Sequence, residues 1–242
     1  MPAVPPKQKP LISVIIPTYN AAAFLPEALA TVRAQYYAPL EIVIVDDGST
    51  DPTRNLIRDW PGVRYLYQSN QGPSAARNAG IDAAQGELLA FLDADDLWTS
   101  NHLQLLLPPL LADRKLRFAW GQSQVVNLEV DADGAWTQEV LHDSVPQFLI
   151  GSGVYRPQAF QDVGRFDPAL KLGEDVDWIL TARQMRVPHL QLTDTTLIYR
   201  KREGSLTSGK TFHDLNVMSV LRRSIHRHRG EKTTSDTYRK AA

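Results

Sequence analysis

The sequence predicts an α/β fold: a single mixed, mainly parallel sheet flanked by helices. Two observations carry that expectation. In the first hundred residues, short apolar β-branched runs alternate with segments of helical spacing, and the runs begin at 12, 41, 63 and 88, separations of 29, 22 and 25 residues that suit successive βα units. Beyond Trp98 the rhythm becomes irregular, as expected of antiparallel additions to one edge.

Each element has a local reason. Leu11 to Ile16 is a continuous apolar run, the pattern of a strand buried on both faces, and Leu25, Ala28, Leu29 and Val32 follow at helical spacing. Glu41 to Val45 repeats the strand pattern. Asp51-Pro52 then offers a helix cap with proline at the first helical position, and Leu56, Ile57 and Trp60 share one face. Val63 to Tyr67 and Leu88 to Leu92 supply two more strands. An alanine-rich helix lies between them from about Pro73 to Ala84, with Gly86 placed to end it.

In the second half, a helix starting near Asn101 should bend or stop at Pro108. Arg117 to Val140 reads as an antiparallel hairpin turning at Asp133-Gly134. A helix from Asp175 to Arg186, strands near Leu190 and Leu197, and a final amphipathic helix from about His213 to His228 complete the chain. There is no internal repeat and no linker long enough to divide it. The expected organisation is a flexible arm over 1–10, a nucleotide-binding half over 11–98, a less regular half over 99–210, and a basic helix and tail over 211–242.

Composition narrows the function. With 242 residues, 43% hydrophobic, 22% charged and a net charge of −1, the chain can bury a substantial core without staples. Disorder, collagen and coiled coil are excluded as overall descriptions. The chain has no cysteine, which excludes a disulfide framework, a thiolate zinc site and a cysteine nucleophile, and it reads as cytoplasmic. Met1 to Pro10 lacks the apolar core of a secretory signal. The best apolar window, Leu103 to Leu111, is short and carries Pro108 and Pro109, so the protein is expected to be soluble or at most peripheral to a membrane. A balanced charge gives no field for nucleic acid.

Chemistry concentrates where apolar runs end. Ligands of open parallel sheets sit beyond the carboxyl ends of the strands. There the sequence places Pro17-Thr18-Tyr19-Asn20, Asp46-Asp47-Gly48-Ser49 and Asp93-Ala94-Asp95-Asp96. Each cluster also has a plain structural explanation, since Asp47-Gly48 makes a turn, Asn20 and Asp51 cap helices, and aspartates after strands hold loops. Together, four or five carboxylates at one sheet edge repel unless something positive joins them, and Mg2+ or Mn2+ binds one or two carboxylates together with substrate phosphates.

These strings, with Gly72-Pro73-Ser74-Ala75-Ala76-Arg77-Asn78-Ala79-Gly80 and with Gly164-Arg165-Phe166-Asp167 followed by Gly173-Glu174-Asp175-Val176-Asp177, resemble the family 2 glycosyltransferases of the GT-A type. The resemblance spans roughly Leu11 to Ser208. It implies an inverting transferase moving a sugar from a nucleotide-diphospho-sugar, with uridine as the expected base, to a hydroxyl of a saccharide or lipid-linked acceptor. It further implies a donor pocket from Pro17, Tyr19, Asn20, Asp47, Arg77 and Asp93, a Mn2+ or Mg2+ held by Asp95 with Asp96 beside it, and Asp175 as catalytic base. An unperturbed aspartate, with a pKa of about 3.9, would already be ionised for that task at neutral pH.

The sequence departs from the family at Tyr199-Arg200-Lys201-Arg202, where many members carry Tyr-Arg-x-His. An arginine at 202 cannot ligate a metal but can pair with a diphosphate.

Other signals compete. Gly204-Ser205-Leu206-Thr207-Ser208-Gly209-Lys210-Thr211 satisfies the Walker A pattern, but Arg200 to Glu203 separates it from the preceding apolar strand and only 31 residues follow. A mobile donor-covering loop is the alternative reading. Paired aspartates after a strand also occur in non-catalytic phosphoryl-receiving regulatory modules. The six histidines lack metal-binding spacing and read as surface residues. Among aromatics that read as packing, Trp120 and Trp178 are the candidates to stack against an acceptor sugar. The basic end, Arg222, Arg223, Arg227 and Arg229, reads as a solvated helix face suited to peripheral contact with acidic lipid.

Overall fold

A computed structural model describes residues 9–58, 60–131, 135–170, 172–205, 208, 220 and 222–225. Strands β1 (Ile12–Thr18), β2 (Leu40–Asp46), β3 (Val63–Tyr67) and β4 (Leu88–Phe91) pair in parallel in the order β3-β2-β1-β4. Helices α1 (Leu25–Arg33), α2 (Thr53–Arg58) and α3 (Pro73–Ala83) connect them. The expected first half is therefore present. It follows from burial on both faces: Ile12, Val14 and Ile16 enter one apolar cluster while Ile15 enters the other, and Leu88 and Ala90 part from Leu89 and Phe91 in the same way.

The second half adds β5 (Leu97–Trp98), α4 (His102–Ala112), β6 (Phe118–Val130), β7 (Trp136–Val145), β8 (Gly153–Tyr155), α5 (Pro157–Asp162), α6 (Glu174–Gln184) and β9 (His189–Arg202). The sheet continues β4-β8-β6-β9-β5, with β7 on β6 as the expected hairpin. The turn assigned to Asp133-Gly134 lies outside the described residues, as does most of the helix expected at His213 to His228, of which Val220 and 222–225 are helical.

Several local expectations are corrected. α4 runs through Pro108 and Pro109 to Ala112, because Leu106, Leu107 and Leu110 are buried on one face and hold it against the sheet despite the missing donors. Strands expected separately at Leu190 and Leu197 form the single strand β9, parallel to β6. Gly86 does not terminate α3, which ends in extended backbone at Ala84. Gly86 is instead where the chain crosses β1, and a Cβ there would meet Ser13 N and Leu88 O at 2.6 Å. α3 lies similarly close to the sheet, so that a Cβ on Gly80 would collide with Cγ2 of Ile15.

Candidate active site

The ends of β2, β1 and β4 stand side by side in the parallel sheet and bring Asp46-Asp47, Thr18-Tyr19 and Asp93 to one edge. Asp46 is fully buried and accepts from Ser49 N at 2.8 Å and the Tyr65 hydroxyl at 2.8 Å. Asp47 accepts from Gln68 Nε2, Gln71 N and Gly72 N at 2.7, 2.9 and 2.8 Å. It thereby anchors the loop that opens α3, the helix carrying Arg77. Pro17 is half-buried, and Tyr19 is exposed beside it. Asn20 sits at φ 49°, and its Oδ1 accepts from Thr50 N and Asp51 N at 2.8 and 3.2 Å. Asn20 thus joins two loops, with its carbonyl oxygen already engaged within the protein.

Arg77 is 4% exposed. One end of its guanidinium, Nη2, donates to both oxygens of Asp93 at 2.6 and 2.9 Å, and Nη1 pairs with Glu174. The two acids hold Arg77 charged against the burial that opposes it. Arg77 is therefore enclosed between Asp93 and Glu174. Glu174 was not singled out from the sequence. Its neighbour Asp175 occupies the first turn of α6 after left-handed Gly173, with Oδ1 accepting from Val176 N at 2.8 Å.

Asp175 is not an unperturbed carboxyl. Burial first, then the Glu174 charge, push its pKa up to about 7, against the pull of Arg77. This corrects the expectation of ordinary acidity.

Asp95 accepts from Arg202 Nε at 3.2 Å and Nη2 at 3.0 Å. Burial still leaves Asp95 above its ordinary range. Asp96, 4% exposed, accepts from the Arg200 amide at 2.9 Å and is raised well above the usual range by burial and by Asp95. Arg200 is 2% exposed; it donates to the Asp95 carbonyl and pairs with Glu27 at the start of α1. Arg202 lies over the Phe24 ring at 4.4 Å, and Phe24 in turn meets Trp136 at 5.2 Å. Arginines 77, 200 and 202 thus stand among the carboxylates and supply positive charge there beside any metal. Because successive strand residues alternate faces, Arg200 and Arg202 share one, a signal visible only if the strand is read through to 202.

Other expected sites are corrected. Trp120 and Trp178 are fully buried, with Trp178 Nε1 donating to Gly164 O, so neither can stack on a sugar; Trp136 is 48% exposed. His102 is buried, not superficial. It is stacked on Trp98 at 4.0 Å, and burial pushes its pKa down to about 3. Arg223 is not simply solvated, since it donates to Asp167 at 2.8 Å, while Arg227 and Arg229 lie outside the described residues. β9 runs on through Arg200, Lys201 and Arg202 almost to Gly204, so the strand comes closer to the Walker-like pattern than expected, while the short stretch that follows still argues against a P-loop; residues 206–207 and 209–211 of that pattern are outside the described set.

A family model for glycosyl transferase family 2 matches residues 13–230. The chain belongs to glycosyl transferase family 2. That membership, spanning both the aspartate clusters and the Walker-like segment, favours neither alternative reading. EpsJ of Bacillus subtilis, described as an uncharacterised glycosyltransferase, is 27% identical over 82% of this chain and 63% of its own. WfgD of Escherichia coli, a UDP-Glc:α-D-GlcNAc-diphosphoundecaprenol β-1,3-glucosyltransferase, is 32% identical over 48% of this chain and 47% of its own. The chain spans 31%, 40% and 63% of the first three curated relatives it matches.

Among solved structures, Staphylococcus aureus TarS 1–349 in complex with UDP-GlcNAc has a TM-score of 0.68 at 23% identity, covering 89% of this chain and 66% of TarS 1–349. The mannosyltransferase PcManGT of Pyrobaculum calidifontis, in complex with GDP-Man and Mn2+, has a TM-score of 0.63 at 19% identity over 97% of this chain and 68% of its own. Both likenesses concern the fold, which is GT-A.

Proposed function

We propose that this family 2 glycosyltransferase moves a hexosyl group from a UDP-sugar to a hydroxyl of a saccharide or lipid-linked acceptor by a single inverting displacement. The observation that carries the reading is Asp175, a carboxyl poised to about 7 beside the Glu174–Arg77–Asp93 network. A base with a pKa near the working pH combines an available ionised form with a real affinity for the proton. The names of WfgD and of the UDP-GlcNAc-bound TarS support a uridine donor, and WfgD supports a lipid-linked acceptor.

In the displacement, a lone pair of the acceptor oxygen forms the bond to the anomeric carbon while the bond to the diphosphate oxygen breaks. The hydroxyl proton passes to Oδ2 of Asp175, the oxygen opposite the one held by Val176 N. Arg77 and Glu174 act as positioning residues that fix the first turn of α6. Tyr19, Pro17 and Asp47 line the donor base and ribose, and Asp93 faces the ribose from its seat on Arg77. Arg202 contacts the diphosphate and Trp136 offers its open face to the acceptor.

The donor set fits a divalent ion of the Mg2+ or Mn2+ kind. Among the described residues no three acidic or histidine side chains cluster as a complete cage, yet Asp95 is held above its ordinary range by burial and then by the Asp93 charge, even with Arg202 beside it, and an ion would relieve both. Such ions accept one or two carboxylates and complete their shell with phosphates and water. Asp95 would hold the ion, with Asp96 bracing it from the strand interior through Arg200. When bound, the ion neutralises charge on the departing diphosphate.

A thermal-shift panel with UDP, GDP, dTDP, CDP and ATP, each with and without manganese, tests the reading. Stabilisation by UDP that requires manganese is the expected result, and a response to ATP alone would replace it with the P-loop reading.

A further inference from the structure

A cleft of about 1010 Å3 lies away from the aspartates. It is bordered by Leu88, which opens β4, by Pro10 just before β1 and by Arg117 just before β6, so it occupies the sheet edge opposite Asp93. None of the motif residues lines it.

Its chemistry is amphipathic. Lys9, Arg114, Arg117 and Arg156 line it against a single carboxylate, Glu87, although the chain as a whole carries a net charge of −1. Arg156 is fixed, donating through Nε to Leu116 O at 3.0 Å and through Nη2 to Leu110 O at 2.6 Å. Burial and the charges of Arg114 and Arg117 disfavour its cation, with only Asp113 opposing them. Arg117 has Asp162 at 2.6 Å, on the side of α5. The cluster is therefore positive beyond what its own acids balance.

The rest of the cleft is apolar, and part of it faces outward. Leu103 and Leu107 line the floor, Leu111 is 44% exposed, and Tyr36 is 94% exposed at φ 48° on the loop between α1 and β2. A tyrosine held out in left-handed backbone, beside exposed leucine and convergent arginines, matches the boundary between lipid head groups and acyl chains. There an aromatic ring is stable with one end wet and one end apolar. A soluble anion would satisfy the cations but leave Tyr36 and Leu111 in water. An anionic phospholipid supplies both chemistries.

We propose that this cleft seats the protein on a bilayer containing anionic phospholipid, with Arg114, Arg117 and Arg156 on the phosphates and Tyr36 and Leu111 among the upper acyl carbons. The edge carrying Asp93 and Asp95 then faces the aqueous side, an orientation that suits a water-soluble nucleotide and, of the two acceptor classes proposed above, the saccharide rather than the lipid-linked one. The proposal does not depend on the assigned transfer reaction.

Co-sedimentation of the full chain tests it, using vesicles of phosphatidylcholine with or without about one-third phosphatidylglycerol at roughly 0.1 M salt. The expected result is pelleting with the anionic vesicles only, declining as salt rises. Arg114→Glu, or Tyr36→Ser with Leu111→Ser, should each lower the bound fraction roughly tenfold, whereas Arg222→Glu should not. A melting temperature of the free protein unchanged in every variant shows that they fold.

Equal pelleting with neutral vesicles, no pelleting with either, or variants that pellet like the parent would overturn the proposal. So would release of the protein by millimolar inorganic phosphate, which would make this a free-phosphate site. A concentration-dependent dimer lost on Tyr36→Ser would assign the surface to a second copy instead.

Discussion

Arg77 and Glu174 stand 97 positions apart in sequence and are joined by a buried ion pair that ties α3 to α6 immediately before Asp175. The same guanidinium grips Asp93 at the end of β4. One side chain thus sets the relative placement of the strand end and of the helix that bears the proposed base.

Arg77→Met should be costly in two separable ways. Stranding two acids of a buried network destabilises by about 3–5 kcal/mol, to be read as a lower denaturant midpoint. Because Arg77 favours the ionised form of Asp175, its loss should also move the rising limb of the pH–rate profile to higher pH. A profile that stays in place would show that the network is structural only.

Asp175→Asn should remove transfer while leaving stabilisation by UDP nearly intact. The parent's rate should rise with pH through about 7, where the carboxyl ionises. Stability runs the other way. A folded pKa above the unfolded value of about 3.9 means that ionisation penalises the folded state, and the penalty grows between that value and 7 and is complete above it. The asparagine variant should therefore melt higher than the parent at pH 8, with the difference closing toward pH 4; melting curves across that range check the sign.

Asp95→Ala should abolish the manganese-dependent stabilisation by UDP. Arg202→Ala should instead preserve the manganese dependence and raise the donor KM roughly tenfold, the loss of one charge-assisted hydrogen bond of about 1.5 kcal/mol. Initial rates against UDP-sugar concentration distinguish the two.

Trp136→Ala should raise the acceptor KM about threefold to tenfold, as expected for an aromatic contact of about 0.5–1.5 kcal/mol, without altering the donor KM. A change confined to the donor KM would place Trp136 on the other substrate.

The first half of the fold was legible because strands covered on both faces must be apolar throughout, which makes β1, β2 and β4 conspicuous as runs. The strand-end aspartates followed from the same reading. What stayed hidden depends on distant partners. Arg200 and Arg202 belong to β9, which is largely half-buried or exposed apart from a few positions and so lacks a clean period of two. The acidity of Asp175 reflects burial and residues from α3 and β4 that no local window contains. Which tryptophan is exposed stayed hidden for a related reason. Trp120 and Trp136 are chemically identical, and only the pairing of β6 inside the sheet and β7 at its margin buries one and exposes the other.

Gly80 closes this chain of dependence. Its missing side chain lets α3 rest against Ile15, one helical turn from Arg77, at the depth from which the guanidinium meets both acids. Any larger residue there would lift the helix off the sheet and withdraw the clamp. The placement of the proposed base is thus set on the underside of a helix, where a single added carbon would meet Ile15.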